Sequence, residues 1–167
     1  MIKLESVELK KVEEGDIPLL LWFIKEIAEY EKLPHEVTAT EDVLKESFFG
    51  KKSTVEGYLA FLEGQPVGYA IYFYNFSSFL GKKGMYLEDL FVLPQFRGKG
   101  IGKQMLVFLA QQAISEGCGR FEWAVLDWNT PAIEFYKSLG AVPMDGWTIF
   151  RLSGDELQKF KLPSSEK

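Results

Sequence analysis

The stretch that most restricts the fold runs from residue 84 to residue 115. "GMYLEDLFVL" (84–93) has the branched and aromatic density of a strand, and "KQMLVFLAQQAIS" (103–115) has the apolar spacing of an amphipathic helix. Between them Gly98, Gly100 and Gly102 are interleaved with Arg97, Lys99 and Lys103 around Ile101. A strand that passes into a helix through such a loop offers backbone N–H groups, the positive end of a helix and cationic side chains to whatever lies over the junction. The expected ligand is an anion such as a pyrophosphate, and glycines let the backbone come close to it. Two familiar phosphate loops do not fit. A Walker A loop needs glycine where Arg97 stands and Ser or Thr where Gln104 stands; a dinucleotide fingerprint needs a third glycine where Lys103 stands. The pattern that fits is Arg97-x-x-Gly100-x-Gly102. Taken alone, such a loop reads first as a basic surface turn.

The rest of the chain is organised around this junction. The patterns predict a strand over 4–12 and a helix over 17–32, with Leu20, Phe23, Ile24 and Ile27 at helical spacing. A second helix is expected after Thr40, with Glu41 and Asp42 in its first turn, and then strands over 54–63 and 66–76 joined as a hairpin at Glu63-Gly64-Gln65. Downstream the expectations are a fifth strand over 119–128, a helix from Asn129 and one or two closing strands over 141–152. Strands first, then alternating strand and helix, imply an α/β (α+β) fold with helices on both faces of a sheet. At 167 residues and 47% hydrophobic, the chain fits one domain, residues 1–162, with a tail over 163–167.

Composition narrows the chemistry. The longest strongly apolar run, 17–24, is too short to span a bilayer, and the first residues lack the pattern of a signal peptide, so a cytoplasmic protein with no membrane partner is expected. A net charge of −5 argues against nucleic acid as the main partner and permits a cationic one. His35 is the single histidine and Cys118 the single cysteine, so no disulfide framework and no metal site are expected. Acid–base work then falls to carboxylates, tyrosine, lysine or the substrate itself.

A second signature is "DWNTPAIEFYKSLGA", 127–141. Asn129 suits a helix N-cap, Pro131 is tolerated in the first turn, and Ala132, Phe135, Tyr136 and Leu139 make one inward stripe that ends at Gly140. Together with the glycine loop, Asn-x-x-Ala-Ile-x-Phe-Tyr-x-x-Leu-Gly-Ala resembles the GNAT superfamily of acetyltransferases over nearly the whole chain. That resemblance implies a central mixed, mostly antiparallel sheet of about six to seven strands with helices on both faces, and acetyl-coenzyme A as co-substrate. The loop Arg97, Gly98, Lys99, Gly100, Ile101, Gly102 and Lys103 would hold its pyrophosphate. Leu90, Phe91 and Val92 would lie along the cofactor, with a backbone N–H near Phe91 or Val92 for the oxyanion. Asn129, Pro131, Ala132 and Tyr136 would complete the cofactor contacts.

"IKEIAEYEKL", "YLEDLFVLPQFRGKGIG" and "AVLDWN" are similar to the spermidine/spermine acetyltransferase subfamily, particularly its thialysine Nε-acetyltransferase branch. The resemblance implies a small-amine acetyltransferase that works by direct transfer and forms a two-fold homodimer. Glu88 would help remove the amine proton, Tyr136 would stand near the thioester sulfur, and Tyr30 and Glu31, with Glu88 and Asp89, would meet the amine. "YNFSSFLGKKG" departs from the polyamine enzymes, with Ser77 and Phe79 where they place an acid and a tryptophan. This tilts the expectation towards shorter diamines or thialysine-like amines.

The residues support these roles independently to different degrees. Strict alternation in "MYLEDLFVL" buries a carboxylate on either face, which calls for a polar reason; a bulge or edge that lets both reach water is the bland alternative. Glu31 extends the series Leu20, Ile24 and Ile27 by one helical step and points inward at the helix end, as a rim carboxylate or an amine ligand. Tyr136 on its own would read as a core tyrosine. Cys118 lacks a base to activate it, Lys82 and Lys83 read as a solvated hairpin tip, His35 as a loop residue, and Trp22, Phe48 and Phe49 as core. Three other readings stay open: an acetyltransferase for a protein amino terminus or lysine, a non-catalytic acyl-coenzyme A sensor, and a structural domain.

Overall fold

The computed structural model describes residues 1–161. Its contacts fall into two units, Met1–Ala124 and one that begins at Val125, which are taken in turn.

In the first unit β1 (Ile2–Lys3) and β2 (Glu8–Lys11) replace the single strand expected over 4–12, because the chain turns where Leu4 N–H donates to the Val7 carbonyl. A 3-10 turn closed by reciprocal Glu13 and Asp16 capping leads into α1 (Ile17–Tyr30), with Pro18 in its first turn. The helix stops at Glu31 through a left-handed Lys32 (φ 63°), with Leu33 N–H reaching back to the Ala28 carbonyl. A non-glycine residue held there carries backbone strain, one residue from Glu31. Thr40 caps α2 (Glu41–Phe49), accepting from Val43 N at 3.3 Å.

β3 (Val55–Leu62) and β4 (Gln65–Ser77) form the expected hairpin; Glu63 and Gly64 both have positive φ, as a two-residue turn matched to strand twist requires. β5 (Lys82–Val92) pairs antiparallel with β4, and α3 (Ile101–Ser115) returns the chain to β6 (Phe121–Trp123), parallel to β5. Among the described residues the six strands lie in chain order in one sheet, each neighbouring pair antiparallel except β5 with β6, so the sheet is mixed and mostly antiparallel. Leu20 and Phe23 of α1 pack with Leu59, Tyr69, Ile71 and Phe91 on one face. On the other, Phe108 of α3 meets Tyr58 edge-on at 5.1 Å, and Gln112 donates to the Tyr72 hydroxyl at 2.8 Å.

In the second unit Asn129 caps α4 (Thr130–Ser138), accepting from Ala132 N at 3.4 Å, with Pro131 in the first turn and Gly140 at φ 89° beyond the end. Among the described residues the closing strands expected over 141–152 do not form, and α5 (Gly154–Gln158) follows instead. A strand needs a partner edge for its backbone groups, and the described residues of this unit offer none. Trp147, Ile149 and Phe150 are accordingly exposed, at 73%, 80% and 93%. Four other side chains depart from their expected places. Trp22, Phe49 and Leu139 are partly exposed rather than core, and Lys83 pairs with Glu116 at 2.8 Å while lying over the Tyr74 ring. The Lys83 stem is thereby recruited to the sheet instead of fraying at a hairpin tip.

Candidate active site

The acid pair on β5 owes its geometry to a bulge. Ile71 pairs with Asp89 and the next β4 residue, Tyr72, pairs with Leu87, so Glu88 is an extra residue with no opposite number. The shift reverses the alternation there. Met85, Leu87, Leu90 and Val92 all fall on the face that α3 covers, while Tyr86, Asp89 and Phe91 share the α1 face with Tyr69 and Ile71. The bulge thus removes the conflict seen in strict alternation: no leucine is stranded, Glu88 reaches water, and Asp89 is turned inward.

Asp89 is held there by Tyr69, whose hydroxyl donates to its Oδ2 at 2.9 Å. Burial pushes the Asp89 carboxyl up from 3.8 to about 6; the Tyr69 hydrogen bond opposes this, and the charges of Glu88 and Glu31 add to it. Burial likewise raises Glu31, at the C-terminal end of α1. Glu31, Glu88 and Asp89 therefore form one electrostatically coupled group, drawn from a helix end and a strand bulge. Tyr30 lies beside it, its ring 6.2 Å from that of Phe91. Such a group attracts a cation and can accept a proton near neutral pH.

Further along β5, backbone polarity alternates. Leu93 N–H donates to the Val67 carbonyl, so in the antiparallel ladder Phe91 also faces β4, while Leu90 and Val92 point the other way. On that side β6 pairs only as far as Leu87, opposite Trp123. Of the two N–H groups expected near an oxyanion, Val92's is the one directed away from the ladder. The Val92 carbonyl accepts from Arg97 Nε at 2.9 Å, and the Arg97 guanidinium stacks over the Tyr30 ring at 4.2 Å. Its side chain is thus spent on joining α1 to β5, a role no local pattern signals. The cationic face of the loop is left to Lys99, over the Phe96 ring, and Lys103.

The glycine loop divides into two kinds of position. Gly98 (φ 78°) and Gly100 (φ 75°), the latter at the N-cap of α3, have left-handed backbones that favour glycine. Gly102 is helical, and a Cβ there would meet only Val92 Cγ2, at an ordinary 3.8 Å. Neither its own backbone nor packing in this unit demands glycine at 102. Among the described residues no side-chain hydrogen bond caps α3, so its N-cap leaves to other partners the N–H groups of Ile101, Gly102 and Lys103, for which a helix start has no intrahelical acceptor. A pyrophosphate fits this donor set.

In the second unit Tyr136 stands in α4, its ring 5.4 Å from that of Phe135, and its carbonyl accepts from Ala141 N–H past the helix end. Asn129, Pro131 and Ala132 form the capped start of the same helix. The residue that sequence reasoning missed is Tyr69. Alternation in "PVGYAIYFYNF" puts it on one face with Ile71 and Phe73, but only the strand register carries it to Asp89.

Known proteins place this architecture. A Vibrio cholerae integron cassette protein of known structure superposes with a TM-score of 0.78 at 32% identity, covering 93% of this chain and 98% of its own. The thialysine N-epsilon-acetyltransferase of Sus scrofa is 37% identical over 92% of this chain and 96% of its own length. The L-ornithine N5-acetyltransferase of Arabidopsis thaliana is 31% identical over 86% and 82%. The sequence model of the Acetyltransferase (GNAT) family matches residues 21–141, from the middle of α1 through the glycine loop to the end of α4, and with these relatives it shows that the chain belongs to that family and is an N-acetyltransferase.

Proposed function

We propose that this N-acetyltransferase acetylates a primary amine of a small diamine, polyamine or lysine-like molecule of the thialysine kind, by direct transfer from acetyl-coenzyme A. The observation that carries the reading is the group of three carboxylates Glu31, Glu88 and Asp89, of which Glu31 and Glu88 both act on the buried Asp89. A second cation on the substrate would find there what a peptide or neutral amine does not use. Relatives named for thialysine and for L-ornithine, both with terminal amines, support it. Ser77 is buried and accepts from Leu80 N–H, and Phe79 is exposed, so neither supplies the extra acid that a long polyamine would call on. This favours the shorter amines.

The family uses acetyl-coenzyme A, which supplies an activated thioester. Gly98, Lys99, Gly100, Ile101, Gly102 and Lys103 hold its pyrophosphate. Leu90, Phe91 and Val92 line its length, and Asn129, Pro131 and Ala132 complete the contacts. A free alkylamine, with a pKa of about 10.4, is mostly protonated at pH 7, so a carboxylate must take a proton before attack. Glu88, free of the β-ladder and open to water, takes it directly or through water; Asp89, Glu31 and Tyr30 hold the amine's charge. Val92 N–H meets the developing oxyanion and the Tyr136 hydroxyl protonates the departing sulfur. The protein works in the cytoplasm as a two-fold homodimer, with residues 1–162 acting as one acetyltransferase domain.

The test is thiol release from acetyl-coenzyme A against polyamines, diamines, lysine analogues and peptides. Turnover with diamines or lysine analogues is expected. Turnover confined to peptides would replace this reading by a protein acetyltransferase, and cofactor binding without turnover by a sensor.

A further inference from the structure

We propose that Tyr69 is a positioning residue for acetyl transfer: its buried hydroxyl fixes Oδ2 of Asp89 and so presents Oδ1 to the ammonium of the incoming amine. This rests on the reading that the acid group binds the amine.

Tyr69 is fully buried. Its ring stacks on Phe23 of α1 at 5.5 Å and 29°, and lies 6.4 Å from Phe91, so the phenol has little freedom to swing. Tyr69 is paired with Phe91 and Asp89 with Ile71, which makes Tyr69 and Asp89 diagonal neighbours on one sheet face, a separation that a tyrosine can bridge. The bulge at Glu88 sets this diagonal: without it Asp89 would fall on the α3 face, out of reach of the phenol.

A buried hydroxyl needs an acceptor, and a neutral one would satisfy it. Here the acceptor is a carboxylate beside two others. Among the described residues, the groups that act on Asp89 are Tyr69 from β4, Glu31 from α1 and Glu88 on its own strand; of these Tyr69 favours the ionised form and the two glutamates oppose it. Arg97, on the same face, is turned onto the Tyr30 and Phe91 rings and the Val92 carbonyl. The phenol donor therefore keeps Asp89 anionic against burial and its acidic neighbours, in the protonation state that an ammonium requires.

Tyr69→Phe retains the ring and deletes the donor. Asp89 should then hold its proton to higher pH. The KM for the amine at pH 7 should rise about tenfold, as loss of a hydrogen bond to a charged group allows. The acid limb of kcat/KM should move to higher pH, KM should recover by pH 9, and acetyl-coenzyme A affinity should stay as in the unaltered protein. Carboxyl 13C titration of Asp89 should move upward in parallel. Site-specific 3-fluorotyrosine at position 69, which keeps the shape and strengthens the donor, should move the limb the opposite way and serves if the phenylalanine variant does not fold. An unchanged acid limb, or a loss equal at every pH from 6 to 10, would overturn the proposal and leave Tyr69 a packing residue. Failure of the underlying reading looks different: Asp89→Asn would then leave the amine KM unaltered.

Discussion

Replacing Asp89 with asparagine should make the protein more stable at neutral pH while impairing its use of the amine. Burial raises the Asp89 carboxyl from 3.8 to about 6, so the folded chain binds its proton more tightly than the unfolded chain does. Stability from this group is therefore greatest below about pH 4 and falls as the pH rises through the window from 4 to 6. At about 1.4 kcal/mol per pH unit, the shift corresponds to a ceiling of about 3 kcal/mol lost by pH 7. Asparagine keeps the shape and an oxygen to accept from Tyr69, so the variant should recover about 1–3 kcal/mol of that, the range allowing for relaxation around a half-buried site. Urea unfolding followed by circular dichroism at pH 4, 5, 6, 7 and 8 reads the difference directly. It should be near zero at pH 4, grow to pH 6 and level off. A difference that does not vary with pH, or an asparagine variant less stable at pH 7, would refute the argument, since Asp89 would then support the fold as an acceptor instead of straining it as a buried charge. In the same variant the amine KM should rise at least about tenfold, the mark of a residue kept for function at a cost in stability.

Gly102→Val should fold, since its Cβ meets only ordinary contact, yet weaken acetyl-coenzyme A binding about tenfold or more by calorimetry; unchanged affinity would remove the helix start from the cofactor site. Tyr136→Phe should lower the pre-steady-state acetyl-transfer rate roughly 10²- to 10⁴-fold at every pH from 6 to 10, whereas the Glu88→Gln defect should be partly rescued at high pH, where more amine is already neutral. A near-normal Tyr136→Phe rate would end its assignment as the acid, and a Glu88→Gln defect independent of pH would make Glu88 an anchor only. Sedimentation at micromolar concentration should give a dimer, with the exposed Trp147, Ile149 and Phe150 covered by the second copy; a monomer would count against it.

Much of this protein was determined by local sequence. The Thr40 and Asn129 caps, the Glu63-Gly64 turn and the periodicity of 17–30 and 103–115 each act within a few residues, so the helices and the central hairpin follow from short-range geometry that any neighbourhood would respect. The glycine loop and "DWNTPAIEFYKSLGA" were legible for the same reason, and they carried the family. Register was not legible. One extra residue at Glu88 decides which face Asp89 takes, and no local rule distinguishes a bulge from regular alternation when both faces can be apolar. The meeting of Tyr69 with Asp89, and of Arg97 with Val92 and Tyr30, likewise depends on contacts between separate elements. The closing strands over 141–152 were expected because their composition suits a strand, but a strand exists only with an edge to pair with, and composition says nothing about the edge. Sequence thus settles what each segment can be by itself, and tertiary structure settles which buried groups must share a site, because desolvation and hydrogen bonding act between residues far apart in the chain.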